Sequence, residues 1–329
     1  MKKIIALMLA VLMMLACAAV AEGTGLSITT GMPTDKPAQV MVVQMDNEPK
    51  ARPQKGIASA DIVYEVELYN GGYTRYTAIF NDTLPELVEA VRSARIVNTD
   101  IYSEYMGALV HYGARVEPDS NMYDYFNANG FTVELDGNNH NSIKTYPGAS
   151  GLFYRDSSRA APNNVIGKLV ELHDMVDSST VTCRSPLKFS EYPTVPAGED
   201  VNLFQIPYRE SYTPSYQWDA AQGKYLRFYN GNPFVDGNTG EQIACDNVIV
   251  QHVEQAWFGG KPDAPKVTLF GTNACDYFVG GKHFTGYWVR DSIANNTVYY
   301  DAAGNEVVFN PGKTYIELLK LENAIQILG

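Results

Sequence analysis

Residues 61–80 read DIVYEVELYNGGYTRYTAIF, and this stretch is the clearest indication of the fold. Two runs in which apolar and polar residues alternate, Asp61–Tyr69 and Tyr73–Phe80, flank the short connection Asn70-Gly71-Gly72. Alternation with a period of two is typical of β-strands. A short glycine-containing connection between two such runs predicts an antiparallel hairpin.

The length of the connection predicts the register of this hairpin. With three loop residues, Glu67 is expected opposite Arg75 and Glu65 opposite Thr77, all on one face of the pair. The other face then carries the apolar set, which comprises Ile62, Tyr64, Val66 and Leu68. The two glutamates are therefore expected on a solvated strand face.

The same reasoning extends outward from the hairpin. Short apolar runs predict strands over residues 39–45, 108–112, 225–229, 247–253, 266–269, 286–290 and 314–320, a second hairpin over 298–300 and 306–309, and helices over 93–106 and 164–176. Because strands and helices are segregated along the chain, the sequence predicts an α+β fold. The first half is expected to be mixed, with the hairpin and a few helices, and the second half rich in β-structure.

Composition shifts suggest where the domains begin and end. Gly, Thr and Pro are frequent near the start of the chain, and Pro recurs between residues 186 and 214. The predicted organisation is a signal peptide (1–21), a tether (22–37), an arginine-rich α+β domain (38–180), a proline-rich connection (181–215) and a β-rich domain (216–322).

The composition excludes several classes of protein. Of 329 residues, 45% are hydrophobic, which is enough for a sizeable core and excludes a disordered chain. With 25 basic and 37 acidic side chains the formal charge is −12, which argues against sequence-independent binding to DNA or RNA. The 22 Tyr and 13 Phe favour β-structure over a helical bundle.

The amino terminus has the pattern of a secretory signal peptide. Two lysines precede the unbroken apolar run Ile4–Leu15, and small residues follow up to Ala21. A second interpretation stays open, because Cys17 follows Leu15-Ala16 in a context similar to a bacterial lipobox, where the cysteine carries the lipid anchor. Both interpretations place the protein outside the cytoplasm, either secreted or held at the outer face of the cell membrane.

The remaining cysteines are few. Cys183, Cys245 and Cys275 form an odd set, so at least one thiol is expected to be free. Cys245 and Cys275 fall in the same half and could form a disulfide, whereas three buried thiols would be equally compatible with the sequence.

Arginine is concentrated in the first half of this acidic chain. Seven of the eleven arginines lie between residues 52 and 159, namely Arg52, Arg75, Arg92, Arg95, Arg115, Arg155 and Arg159. Two of them flank the predicted helix start, where the helix dipole disfavours cations. A guanidinium group binds carboxylate and phosphate in a bidentate manner. These side chains are candidates for an anion-binding site, and the alternative is an internal set of ion pairs with neighbouring acids.

A catalytic interpretation rests on three residues. His111 ends a predicted strand beside a glycine, in a position suited to a general base. Glu65 and Glu67 are paired carboxylates of the kind used by glycosidases. Structural roles for all three are also open. The sequence contains no HExxH motif, nucleotide-binding glycine loop or cysteine pair with metal-ligand spacing, so neither a metal site nor a cofactor is expected.

Short motifs occur in a fixed order along the chain, namely Met45-Asp46-Asn47, Ala51–Gly56, Ala60–Glu65, Gly72–Arg75, Val91–Arg95, His111-Tyr112-Gly113, Tyr154-Arg155-Asp156, Arg159–Asn164, Asp246–Gln251, Gly286-Tyr287-Trp288 and Asn310–Thr314. This ordered series resembles the YerB-like family of bacterial lipoproteins, a two-domain family of unknown function. The resemblance covers residues 38–320 and implies a location in the envelope of Gram-positive-type bacteria. It supplies no reaction.

Three functional hypotheses follow. The first is a non-catalytic envelope protein whose arginine-rich half binds an anionic envelope polymer or an envelope protein. The second is a cell-wall-acting hydrolase or lyase that uses Glu65 or Glu67 with His111. The third is a scaffold in which every arginine is paired internally. Contact with a membrane is expected only through a lipid on Cys17.

Overall fold

The computed structural model describes residues 25–138 and 146–329. The predicted signal peptide with Cys17 and Ala21 lies outside these residues. Within the described part of the chain, no helix combines the length and apolar character needed to cross a bilayer. In residues 25–138 and 146–329, strands make up most of the regular structure, and helices are few and short.

The strands supply nearly all of the framework. They are β1 (Gly25–Leu26), β2 (Pro33–Thr34), β3 (Met41–Asp46), β4 (Ile62–Glu67), β5 (Thr74–Phe80), β6 (Leu87–Glu89), β7 (Ala108–His111), β8 (Glu134–Asp136), β9 (Phe153–Arg155), β10 (Val165–Lys168), β11 (Glu199–Asp200), β12 (Leu203–Gln205), β13 (Pro214–Asp219), β14 (Lys224–Tyr229), β15 (Asn232–Pro233), β16 (Ala244–Cys245), β17 (Asn247–Trp257), β18 (Pro265–Thr268), β19 (Gly271–Val279), β20 (Lys282–Arg290), β21 (Val298–Asp301), β22 (Thr314–Lys320) and β23 (Gln326–Ile327).

The helices are short. The α-helices are α1 (Ile96–Tyr102), α2 (Met122–Ala128) and α3 (Leu169–Asp174), and single 3-10 turns occur at Pro49–Ala51, Ile57–Ser59, Ala149–Leu152, Ser178–Thr180 and Phe258–Gly260.

A twelve-stranded mixed sheet forms the centre of the molecule. Its order is β11-β20-β19-β17-β22-β4-β5-β3-β7-β8, and β18 and β21 pair with β17 and β20 at its side. The predicted hairpin becomes the adjacent antiparallel strands β4 and β5. A six-stranded sheet, in the order β15-β14-β13-β12-β23 with β16 beside β14, covers part of one face. Helices α1 and α2 cover part of the other face.

The hairpin register differs from the prediction by one residue. Glu65 lies opposite Tyr76, and Glu67 lies opposite Thr74, whereas Arg75 is paired with Val66. A shift of one residue moves a side chain to the other face of the sheet. The register differs because the loop that joins the strands is longer than three residues. As a result, Arg75 and the two glutamates lie on opposite faces of the sheet.

The solvated strand face expected for the glutamates does not exist. Every residue of β4 is buried, and its two faces belong to two different hydrophobic clusters. The alternation of apolar and polar residues in this segment therefore marks a strand that is buried on both faces. One of these faces carries buried charged groups as well as apolar groups.

Both halves of the chain contribute to the central sheet. Strand β22 from near the carboxyl terminus pairs in parallel with β4 over five residues, with Glu317 next to Glu65. The predicted division between residues 180 and 216 remains a prediction. The structure adds that the sheet is continuous across it.

Three local predictions need correction. Residues 25–34 of the predicted tether form the β1–β2 pair, and Thr29 is fully buried. In the predicted proline-rich connection, residues 199–200 and 203–205 form strands. The predicted helix over 164–176 is a strand over its first part, because the β-branched Val165 and Ile166 pair between β6 and β9 before α3 begins.

The predicted helix over 93–106 is also shorter than expected. It begins at Ile96, where the side chain of Asn98 accepts a hydrogen bond from the backbone of Arg95, and it ends at Tyr102. The preceding residues are extended because Ala94 forms a bridge with Ala114.

The three described cysteines are free thiols. Cys245 belongs to the hydrophobic cluster on one side of the central sheet, and Cys275 belongs to the cluster on the other side. The sheet between them excludes the disulfide that the sequence left open.

Candidate functional site

Six strands of the central sheet run in the same direction, so their carboxyl ends meet at one edge. These strands are β17, β22, β4, β3, β7 and β8. Ligands of open sheets that contain parallel strands commonly bind outside the carboxyl ends. We call this the carboxyl edge of the sheet.

An extended segment fills a gap at the carboxyl edge. Strands β3 and β7 pair only up to Val43 and Val110 and then separate. Residues 91–94 enter between them, because Val91 bridges Met45 and Ala94 bridges Ala114. This insertion is what places Arg92 and Arg95 at the edge.

Four of the predicted arginines meet here, and we call them the arginine cluster. Arg75 is near the start of β5, Arg92 and Arg95 belong to the inserted segment and its end, and Arg115 follows β7. Arg75 and Arg95 both donate to the backbone carbonyl of Ser93, at 2.9 and 3.4 Å. The side chains of Arg75 and Arg92 retain 13% and 17% of their exposure, so a ligand in solvent can reach them.

Two carboxylates partly neutralise the arginine cluster. Asp46, at the end of β3, lies with Oδ2 2.8 Å from Arg92 Nε and with Oδ1 3.9 Å from Arg75 Nε. Asp263 comes from the second half of the chain and accepts a hydrogen bond from Arg115 Nη1 at 2.7 Å. Four positive groups therefore have two direct acidic partners.

Arg95 is the least compensated member. Its hydrogen bonds go to the backbone carbonyls of Ser93, Ala94 and Asp263, and it forms no ion pair with a carboxylate of the described residues. Burial, followed by repulsion from the neighbouring arginines, lowers the pKa of Arg95 to about 9. Burial likewise lowers the pKa of Arg75 to about 10, against the attraction of Asp46. An added anion would relieve this excess of positive charge.

The other three predicted arginines lie apart from the cluster. Arg52 stacks on the rings of Tyr212 and Tyr229, with its guanidinium carbon 4.9 and 4.3 Å from their centroids. Arg159 Nε is 3.6 Å from Glu89 and its other nitrogens bind backbone carbonyls. Arg52 and Arg159 therefore have internal partners and contribute to the structure of the domain.

Arg155 is exposed at the surface. Its Nη1 donates to the side-chain oxygen of Asn164 at 2.8 Å, and its guanidinium lies 5.4 Å from the ring centroid of Tyr112. It forms no ion pair among the described residues.

Glu65 is the centre of a buried ion-pair network rather than an exposed acid. It forms a close ion pair with Arg227 of β14, which also binds Glu317 of β22 at 2.7 Å. All three side chains are fully buried. Burial raises the pKa of Glu317, against the attraction of Arg227. This network ties the six-stranded sheet to both halves of the central sheet.

Glu67 has a separate partner. Lys320 Nζ lies 2.6 Å from its Oε2, and the backbone amide of Gly71 donates to its Oε1 at 2.9 Å. The Lys320 contact holds the end of β4 against β22, and the Gly71 contact lies within the turn of the hairpin.

His111 is fully buried and sits on the opposite face of the sheet from Glu65. Its Nε2 donates to Glu134 at 2.5 Å, and its Nδ1 donates to the carbonyl of Gly113 at 2.8 Å. Burial lowers the pKa of His111, but Glu134, followed by Asp136 and the Gly113 carbonyl, together raise it, and the net shift is upward. The proposed pairing of Glu65 or Glu67 with His111 is therefore not formed, because the strand registers place the sheet between them.

No grouping of three or more His, Cys, Asp or Glu side chains within residues 25–138 and 146–329 is arranged to hold a metal ion.

Sequence reasoning missed the acidic partner Asp263 and the buried Arg227. Asp263 lies in an exposed loop with no recognisable pattern. The sequence did indicate that Arg227 is unusual, because it stands between aromatic and aliphatic residues in the run Lys224–Tyr229. A charged residue at an inward position of such a strand indicates a buried partner of opposite charge.

The comparisons with known proteins agree with the resemblance of the motifs. Residues 24–182 match the N-terminal domain, and residues 204–316 the C-terminal domain, of the DUF3048 family of proteins of unknown function. The chain is 28% identical over 308 residues to "Putative lipoprotein YerB" of Bacillus subtilis (strain 168), covering 90% of this chain and 85% of the relative. The crystal structure of the YerB protein from Bacillus subtilis has the same fold, with a TM-score of 0.74 at 23% identity, covering 92% of this chain and 99% of that one.

Proposed function

This chain belongs to the DUF3048 family of two-domain proteins of unknown function, and we propose that it binds an anionic polymer of the cell envelope through the arginine cluster. The observation that carries the proposal is the imbalance of charge at the carboxyl edge. Four guanidinium groups share two carboxylates, and Arg95 has none of its own. A phosphate or carboxylate group of the ligand would supply the missing partner.

The residue type supports an oxyanion ligand. Guanidinium groups present parallel N–H donors that match the oxygens of phosphate and carboxylate, and a cluster of them can hold successive anionic groups of a polymer. The rest of the chain is acidic, with a formal charge of −12. Polyanions are therefore repelled in general, and binding is confined to the arginine cluster.

The proposed location is outside the cytoplasm. The relative in Bacillus subtilis carries the name "Putative lipoprotein YerB", and the amino-terminal sequence combines an apolar run with Cys17. We propose that the protein is either held at the outer face of the membrane by a lipid on Cys17 or released by cleavage after Ala21. In both cases an anionic wall polymer is within reach.

Titration calorimetry with a soluble poly(glycerol phosphate) chain at low salt tests the proposal. The unmodified protein is expected to bind it more weakly as salt is raised, because exposed charges are screened. Arg95→Gln removes one charge-assisted contact of about 1.5–3 kcal/mol, so affinity should fall about tenfold or more. A neutral dextran of similar length is expected not to bind.

Arg184→Gln is the matched control. Arg184 lies near the other end of α1, where it donates to the carbonyl of Ser103 at 3.1 Å. The variant makes the same charge change and is expected to bind the polymer as the unmodified protein does. Equal binding by the Arg95 and Arg184 variants, or no binding by the unmodified protein, would contradict the proposal and favour a scaffold role or a protein partner.

A further inference from the structure

A second charged site lies at the opposite edge of the sheet. Three neighbouring parallel strands, β17, β22 and β4, are each preceded directly by a charged residue, namely Asp246, Lys313 and Asp61. These side chains line a cavity of about 690 Å³. The cavity is independent of the arginine cluster, which lies where these strands end.

Asp61 is the most unusual group in this cavity. It is 2% exposed, and its Oδ2 accepts three hydrogen bonds, from Thr29 Oγ1 at 2.8 Å and from the amides of Asn81 and Asp82 at 2.9 and 3.0 Å. Its Oδ1 accepts no hydrogen bond from the described residues. Asp61 belongs to the cavity lining, so this oxygen remains available to accept a hydrogen bond from a ligand.

The acidic groups around Asp61 are not neutralised. Asp82 also lines the cavity, and its oxygens bind Ser27 Oγ at 2.5 Å, Asn81 Nδ2 at 2.8 Å and the hydroxyl of Thr30. Neither aspartate forms an ion pair with a cation of the described residues. Burial, followed by the Asp82 charge, raises the pKa of Asp61 to about 7.

Neither lysine of the cavity forms an ion pair with these aspartates, although burial lowers the pKa of Lys313 against the attraction of Asp61. Lys224 Nζ is bound by both oxygens of Asp246 at 3.0 Å. Lys313 Nζ donates to the backbone carbonyl of Ala58. The lining holds four acids, Asp61, Asp82, Glu191 and Asp246, against these two lysines, so the cavity keeps an excess of negative charge.

The rim of the cavity is apolar. It is lined by Leu26, Met32, Pro33, Tyr192, Pro193 and Pro311. Two of these, Leu26 and Met32, are 58% and 47% exposed. Such a rim gives a hydrocarbon group a place to be buried above the carboxylates.

We propose that this cavity binds an organic ammonium ion, that is, a primary amine on a short aliphatic stem. The ammonium group would donate to Asp61 Oδ1, and the stem would lie against the apolar rim. A metal ion fits less well, because Mg²⁺ and Ca²⁺ require six or more oxygen ligands. The oxygens of Asp82 and Oδ2 of Asp61 already accept hydrogen bonds from the protein. The volume is also that of a small-molecule site rather than of a single ion.

Calorimetry with 1,5-diaminopentane tests this proposal, with 1-pentanol and pentanoate as neutral and anionic controls. The diamine is expected to bind, and the two controls at least tenfold more weakly. Asp61→Asn keeps an oxygen to accept the three internal hydrogen bonds and removes the charge, so it should lose about tenfold or more in affinity. Asp291→Asn changes an exposed acid outside the cavity and should leave the affinity unchanged.

Two further measurements keep the test decisive if the Asp61 variant folds poorly. Glu191→Gln changes an exposed acid of the cavity lining and should weaken diamine binding several-fold. In the unmodified protein, binding should strengthen between pH 6 and pH 8, because Asp61 loses its proton while the amine stays charged. Asp82, Glu191, Asp246, Lys224 and Lys313 are the other charged groups that line the cavity.

Three outcomes would overturn the proposal. Equal binding of pentanol and diamine would show a cavity that recognises only the apolar stem. Unchanged binding by Asp61→Asn would show that this carboxylate is not the recognising group, and saturable binding of Ca²⁺ in place of the diamine would identify a metal site. The Arg95→Gln protein should bind the diamine normally, so failure here is separable from failure at the arginine cluster.

Discussion

At the scale of single residues, the buried Arg227 connects the layers of the molecule. Its guanidinium lies between Glu65 and Glu317, and the hydroxyl groups of Tyr208 and Tyr216 donate to Glu317. One positive charge thus serves two buried carboxylates. Burial raises the pKa of Glu317, the attraction of Arg227 opposes this, and the neighbouring Glu65 charge adds to the rise.

Removing the guanidinium should be strongly destabilising. Arg227→Met leaves two buried carboxylates without a cation, and breaking a buried pair in this way costs about 3–5 kcal/mol. The cost should be larger at pH 8 than at pH 5, because at the lower pH the unpaired carboxyl groups can bind protons and become neutral. Urea denaturation of the variant and the unmodified protein at both pH values measures the difference.

Arg155→Met provides the comparison for this prediction. Arg155 is exposed and its hydrogen bond goes to a neutral amide. Its loss should change the free energy of unfolding by less than about 0.5 kcal/mol at either pH. A similar small effect for Arg227→Met, or a cost independent of pH, would mean that the buried network does not stabilise the fold.

At the scale of elements, the positions of strands along the chain were easier to predict from the sequence than the pairing between strands. Strand β22 was expected with its observed bounds, since an apolar run flanked by turn residues needs only local information. The parallel pairing of β22 with β4 was not predicted, because the two strands are far apart in the chain and no local pattern encodes such contacts. The arginines could be identified as candidates, but their convergence depends on the insertion of residues 91–94 between β3 and β7.

Gly286 lies where two paired strands approach each other closely. In β20, a Cβ added at Gly286 would lie 1.9 Å from the carbonyl oxygen of Tyr300 in β21. Gly286→Ala should therefore push these paired strands apart and destabilise the protein by about 1–3 kcal/mol. Gly151→Ala is the control, since an added Cβ there meets no atom within 4 Å. Thermal unfolding followed by circular dichroism compares the two variants, and equal melting temperatures would contradict the packing argument.

At the scale of the whole molecule, the two matched family domains share one sheet. Strands of the first domain and of the second are neighbours through β4 and β22, and the Glu65–Arg227–Glu317 network lies across the same junction. If the halves separated, β4 and β22 would each expose an unpaired edge, and the buried charges would lose their partners. Independent unfolding of either half is therefore expected to be unfavourable.

Hydrogen exchange can measure this coupling in the intact protein. The amides of β4 and β22 should exchange through openings whose free energies agree within about 1 kcal/mol, because both strands are released only when the shared sheet opens. Arg227→Met should lower both values together, although Arg227 itself lies in β14 of the second half. If the amides of β4 exchanged at a much lower free energy than those of β22, the first half would open alone. The sheet would then be two cooperative units in contact rather than one.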